Sequence, residues 1–129
     1  MIMNRKLFLL VPLVILIAPA FCFAHAFLDH SDPRVGSHVQ QQPAQVRIWF
    51  TMGVEPDFST IEVFDGNGHA VDKSDTHADP SDDKMLSVSL DHLPPGEYRV
   101  QWKVVAEDTH KTQGGFKFIV DPPGASGGK

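Results

Sequence analysis

Cysteine is almost missing from this chain: among 129 residues only Cys22 carries a thiol. A lone cysteine excludes an internal disulfide framework. Because it falls in the apolar opening stretch, any metal site in the polar remainder is limited to nitrogen, carboxylate oxygen or thioether donors. Methionine is nearly as sparse, with only Met52 and Met85 beyond the opening residues, and this excludes a site built from several thioethers. Positive charge is also in deficit. Lys and Arg number 11 against 16 Asp and Glu, a net charge of -5, which suits cations and disfavours nucleic acid. Helical periodicity is lacking after the opening stretch, as are internal repeats and any sign of a second domain. No long apolar run follows Val120, so no stable membrane insertion of the mature chain is expected.

The one long apolar run lies at the start. Arg5 and Lys6 precede residues 7–21, and small Cys22 and Ala24 follow at the offsets that a signal peptidase reads. Pro12 and Pro19 and the short length favour an export signal over a membrane span, and bulky Phe21 ahead of Cys22 argues against a lipid anchor. Residues 1–24 are therefore expected to be a signal peptide, 25–121 a single domain and 122–129 a disordered tail, with the mature protein periplasmic. Cleavage after Ala24 would leave His25 first, placing a free amine and an imidazole on one residue as a metal chelate. Ala24-His25-Ala26 is itself a cleavage pattern, and a cut after Ala26 would discard that chelate.

Beyond the leader the apolar pattern has a period of two. Val46, Ile48 and Phe50 alternate with polar or amphipathic neighbours, as do Leu86, Val88 and Leu90. Tyr98, Val100, Trp102 and Val104 form the clearest series, and Phe116, Phe118 and Val120 close it. Ile61, Val63 and Phe64 lead into an Asp65-Gly66-Asn67-Gly68 turn followed by His69, Ala70 and Val71. These segments predict an all-β, two-sheet sandwich of six or seven short strands. Tyr98, just after Pro94-Pro95-Gly96, is placed to tie its hydroxyl back to the preceding loop, as in a tyrosine corner. The stretch from Asp72 to Asp83 holds five acids and no large apolar side chain, which predicts a solvated loop.

Seven histidines offer ligands, but only those that converge with carboxylates matter. Asp108 and His110 follow the Tyr98 strand at a spacing that puts both on one side of extended chain. The spacing is weakly specific, since it recurs at Asp75 and His77, where a second, weak metal site is conceivable. His38 and His92 are expected in loops, His69 beside a turn, and His30 pointing away from His25.

The assembled motifs resemble the CopC-type family of periplasmic copper-binding proteins. The resemblance runs through His25-Ala26-x-Leu28-x-x-Ser31-x-Pro33-x-x-Gly36 and Ile48-x-Phe50 with Val54-Glu55. It continues in Leu93-x-Pro95-Gly96-x-Tyr98-x-Val100-x-Trp102, Asp108-x-His110 and Gly115-x-x-x-Phe118-x-Val120. It implies an all-β, Greek-key β-sandwich or barrel of about seven strands, immunoglobulin-like or cupredoxin-like, and one Cu(II) ion per chain, held by His25 through amine and imidazole together with Asp108 and His110. It further implies a role in copper resistance or homeostasis, with a CopD-type inner-membrane protein as partner and no catalysis. Met52 stands where many members carry an acid, leaving open whether Met52 or nearby Glu55 supports the site. The chain lacks the methionine-rich loop that some relatives use for Cu(I). Two other readings start from the same residues: a copper monooxygenase with an N-terminal histidine, and an interaction sandwich without metal.

Overall fold

The alternating runs form strands. A computed structural model describes residues 25–124; the expected signal peptide with Cys22, and residues 125–129 of the expected tail, lie outside the described residues. Eight strands follow one another: β1 (Leu28–Asp32), β2 (His38–Val39), β3 (Gln45–Phe50), β4 (Thr60–Phe64), β5 (His77–Asp79), β6 (Asp82–Ser89), β7 (Gly96–Val105) and β8 (Lys111–Val120). A single 3-10 turn, Pro56–Phe58, is the only helical element among the described residues. The strands make two four-stranded sheets, ordered β1-β3-β6-β5 and β2-β8-β7-β4. The chain changes sheet between β1 and β2, β2 and β3, β3 and β4, β4 and β5, and β6 and β7. The expected sandwich is therefore the observed architecture.

Between the sheets lies a core of the inward-pointing residues. Val46, Ile48, Val63, Val88, Val100 and Phe118 are fully buried, and Phe50 meets Trp102 edge-on at 5.3 Å between ring centroids. Strand β7 alternates strictly, with Tyr98, Val100, Trp102 and Val104 inside and Arg99, Gln101 and Lys103 outside. Tyr98 stacks on Phe118 at 5.5 Å and donates its hydroxyl hydrogen to the Pro94 carbonyl, closing the expected corner. Strand β6 breaks the alternation, burying Met85 through Val88 in succession. It lies between β3 and β5, where Trp49 and His77 flank Met85 and Ser87 on its outer face.

Gly114 makes room for the largest core ring. A methyl group there would stand 2.5 Å from Cζ2 of Trp102, which the β7–β8 register places directly opposite. Gly114→Ala is expected to destabilise the fold by about 1–3 kcal/mol, seen as a lower urea midpoint with an unchanged denaturant slope.

The acidic stretch from Asp72 to Asp83 is not the free loop that its composition predicts. It holds β5 and the start of β6, and its polar side chains substitute for a neighbouring strand. Thr76 Oγ1 accepts the Ile61 N–H, Asp72 Oδ1 accepts the Val63 N–H, and Asp75 Oδ1 accepts the Ser89 N–H. The first two bonds cover the outer edge of β4, which would otherwise expose a row of unpaired donors. His38 likewise lies in a strand rather than a loop, because β2 pairs in parallel with β8 at Ile119 and Val120. The run after the Asp65 turn forms one isolated bridge, Phe64 to Ala70, and not a full strand.

Hydrogen bonds from Ser89 hold the Asp75 carboxyl below the usual carboxylate range. A carboxylate depressed on folding stabilises the native state fully above its unfolded pKa of about 4, and this contribution is lost as pH falls through the lower folded value. Asp75→Asn is expected to melt below the parent at neutral pH, with the gap closing below about pH 4 in a series of thermal scans.

Candidate metal centre

The opening segment is pinned at one end of the sandwich. Ala26 is fully buried and its carbonyl accepts the Thr112 hydroxyl hydrogen at 2.6 Å. Thr51 grips both neighbours: its Oγ1 accepts the Phe27 N–H at 3.0 Å and donates to the His25 carbonyl at 3.3 Å, while its own N–H binds the Phe27 carbonyl at 2.8 Å. These contacts carry His25 from the start of β1 to the end of β7.

There the β7–β8 ladder closes in a tight turn. The Ala106 N–H bonds the His110 carbonyl at 2.9 Å, and Thr109 takes a φ of 75°. Asp108 caps this turn, with Oδ1 accepting the His110 N–H at 3.1 Å and Oδ2 lying 3.0 Å from His110 Nδ1. Asp108 and His110 do converge, but through a capped hairpin turn and not by facing one way along an extended strand. The His110 N–H contributes most to holding the Asp108 carboxyl below its usual range. The bond to the His110 ring adds to this, and the proximity of the His110 and His25 rings contributes a smaller part.

The rings of His25 and His110 meet at 4.9 Å and 81°, with Phe27 edge-on to His25 at 6.1 Å. His25 Nδ1 is buried without a hydrogen-bond partner among the described residues. A buried ring nitrogen with no partner is costly, and a metal ion is one group that could satisfy it. The three side chains are neighbours and not a closed cage: among the described residues no three His, Asp or Glu side chains already stand as a metal-binding group. Asp108 and His110 satisfy each other. In the uncut chain the backbone nitrogen of His25 is an amide joined to Ala24 and adds no fourth donor.

Three of the other histidines are occupied elsewhere. His30 stacks on Trp49 at 4.4 Å and pairs with Asp29, and His38 pairs with Asp121 at 2.8 Å. His77 lies 2.7 Å from the Asp75 carbonyl through Nδ1 and 3.1 Å from Ser87 Oγ through Nε2, so both ring nitrogens already have protein partners.

Sequence reasoning missed Thr51 and Thr112, whose hydroxyls position the opening segment; only the fold reveals them. It also missed a carboxyl pair beside the turn. A hydrogen bond to Asp83, with the negative charges of Asp83 and Glu55, holds the Glu107 carboxyl above its usual range. Glu55 thus acts on Glu107, and Met52 packs half-buried against the core.

A small two-sheet sandwich with an opening histidine segment pinned beside an aspartate–histidine turn defines a class of β-domain whose nitrogen and carboxylate donors gather at one end. The chain belongs to the CopC family: the family model, a CopC domain, matches residues 28–121, beginning just after His25 and spanning Asp108 and His110. It is 34% identical over 118 residues to the copper transport protein CutJ of Bacillus subtilis, matching 91% of this chain but spanning only 22% of that relative's length. It is 36% identical over 110 residues to copper resistance protein C of Xanthomonas campestris pv. juglandis, covering 81% of this chain and 86% of that one. Among solved structures, CopC from Methylosinus trichosporium OB3b superposes with a TM-score of 0.72 at 32% identity, covering 76% of this chain and 95% of that one.

Proposed function

We propose that the chain is an exported, periplasmic Cu(II) carrier, cut after Ala24, that sequesters copper or delivers it to an inner-membrane partner of the CopD type. One ion per chain is held by His25, through amine and imidazole, with His110 and Asp108. The observation that carries this reading is the buried, unpartnered Nδ1 of His25, on a ring that meets the His110 ring edge-on, with the Asp108 carboxylate against His110. The names of the relatives, in copper transport and copper resistance, support copper as the metal.

The donor chemistry agrees. Three nitrogens and one carboxylate oxygen suit tetragonal Cu(II), which also heads the divalent affinity order, so zinc would bind the same set more weakly. Asp108 is ionised well below neutral pH and gives up no proton on binding. An α-amine, with an ordinary pKa of about 8, releases its proton to copper near neutral pH. Met52, half-buried, and Met85, buried, are too few for a Cu(I) site built from several thioethers.

The test combines the intact mass of the exported protein with a Cu(II) titration against a competing chelator. A mass beginning at His25 and one tightly held ion per chain are expected; a mass beginning at Phe27, or no tight ion, overturns the reading. With ascorbate present, the loaded protein is expected to consume oxygen no faster than the same amount of free copper, as befits a carrier and not an oxygenase.

A further inference from the structure

The charge of this protein is segregated. All 16 acids but only eight of the 11 Lys and Arg lie between residues 25 and 124, a balance of -8. Four of those eight cations, Arg99, Lys103, Lys111 and Lys117, point outward from β7 and β8 on one sheet face, where all are exposed. On the outer side of the same sheet the acids are Glu97 on β7 and Glu62 on β4, and Glu97 pairs with Lys117 at 2.9 Å. Arg99, Lys103 and Lys111 make no ion pair among the described residues.

The shape of this face is equally distinct. Gly115, opposite Gln101, leaves a shallow depression of about 660 Å³ bordered by Arg99, Lys103 and Lys117. A second hollow, of about 500 Å³, adjoins it at Lys103 and Gln113 and runs to Lys111 and Phe58. Phe58, in the 3-10 turn, is 74% exposed, more than Phe27 or Val35, the other large apolar side chains left in solvent among the described residues. An open basic face with an aromatic ring projecting at its rim combines the two contributions that hold proteins on anionic bilayers: attraction of Lys and Arg to headgroups, and insertion of an apolar ring at the interface. An acidic protein partner would account for the cations but gives no reason for the exposed ring.

We propose that the outer face of the β2-β8-β7-β4 sheet docks on an anionic phospholipid bilayer, with Arg99, Lys103 and Lys111 against the headgroups and Phe58 at the interface. Lys111 directly follows His110, so docking in this way holds the metal-centre end of the sandwich close to the membrane. Its use in handing copper to a membrane partner rests on the carrier reading above; the docking itself does not.

The test is sedimentation of the purified, metal-free protein with vesicles of phosphatidylglycerol and phosphatidylcholine, and with phosphatidylcholine alone, at low ionic strength. Partition onto the anionic vesicles only is expected, weakening as salt is added. Lys103→Gln with Lys111→Gln is expected to lower that partition about 30-fold, and Phe58→Ala about tenfold. The same charge change placed elsewhere, Lys73→Gln with Lys84→Gln, is expected to alter it less than about threefold. Absence of partition onto anionic vesicles, or equal losses in the two double variants, overturns the proposal. So does retention on immobilised polyglutamate without vesicle binding, which would assign the face to an acidic protein. Copper titration of the Lys103→Gln, Lys111→Gln variant is expected to match the parent, so a failure of the carrier reading and a failure of docking are told apart.

Discussion

A protein carrying one extra residue ahead of His25 is expected to bind Cu(II) about a thousandfold more weakly than one that begins at His25. The extra residue leaves every side chain in place and changes one atom's chemistry: the His25 nitrogen becomes an amide, with no basic lone pair to offer. The chelate ring that amine and imidazole close together is lost, and with it the advantage of two donors already held on one residue. The positioning contacts sharpen the expectation. Ala26 is fully buried and the Thr51 and Thr112 hydroxyls fix the carbonyls of His25 and Ala26, so the segment cannot slide to bring the new terminus into register. His25→Ala with the native start is expected to lose a similar amount, because it removes the other half of the chelate. Chelator competition reads both; unchanged affinity in the extended protein would remove His25 from the site.

How much of this was legible beforehand follows from what kind of interaction each feature uses. The core strands announced themselves because burial on one face imposes a period of two, and Tyr98, Val100, Trp102 and Val104 all face inward as that period requires. Strand β5 was illegible for the opposite reason. Its neighbourhood satisfies edge donors with the side chains of Asp72, Asp75 and Thr76, and such bonds leave no hydrophobic pattern. The convergence of Asp108 and His110 could be read from spacing, although the geometry behind it differs: Thr109 at positive φ and the Asp108 cap bring the pair together in a turn. The approach of His25 to His110 could be anticipated only by resemblance, since the 84 residues between them are bridged by a fold and by no local rule. The basic face was hidden inside an acidic total, because alternation along β7 and β8 sorts charges that composition merely sums.

His110→Ala is expected to lower Cu(II) affinity about a hundredfold, and Asp108→Asn about tenfold, with the double variant losing about tenfold less than the product of the two. The shortfall follows from the geometry. Asp108 lies 3.0 Å from the His110 ring through Oδ2 and caps the His110 N–H through Oδ1, so each side chain helps to place the other as well as to supply a donor. Losing either one already forfeits part of what its partner contributes, and removing both cannot forfeit that share twice. The two singles should also differ in kind. His110→Ala removes a nitrogen from the copper spectrum while the backbone cap on Asp108 survives. Asp108→Asn keeps the nitrogens but frees the ring, and its affinity deficit should persist at every pH where the parent carboxyl, held below its usual range, is ionised. Additive losses, or a His110→Ala spectrum identical to the parent's, would mean that this hairpin turn does not hold the ion.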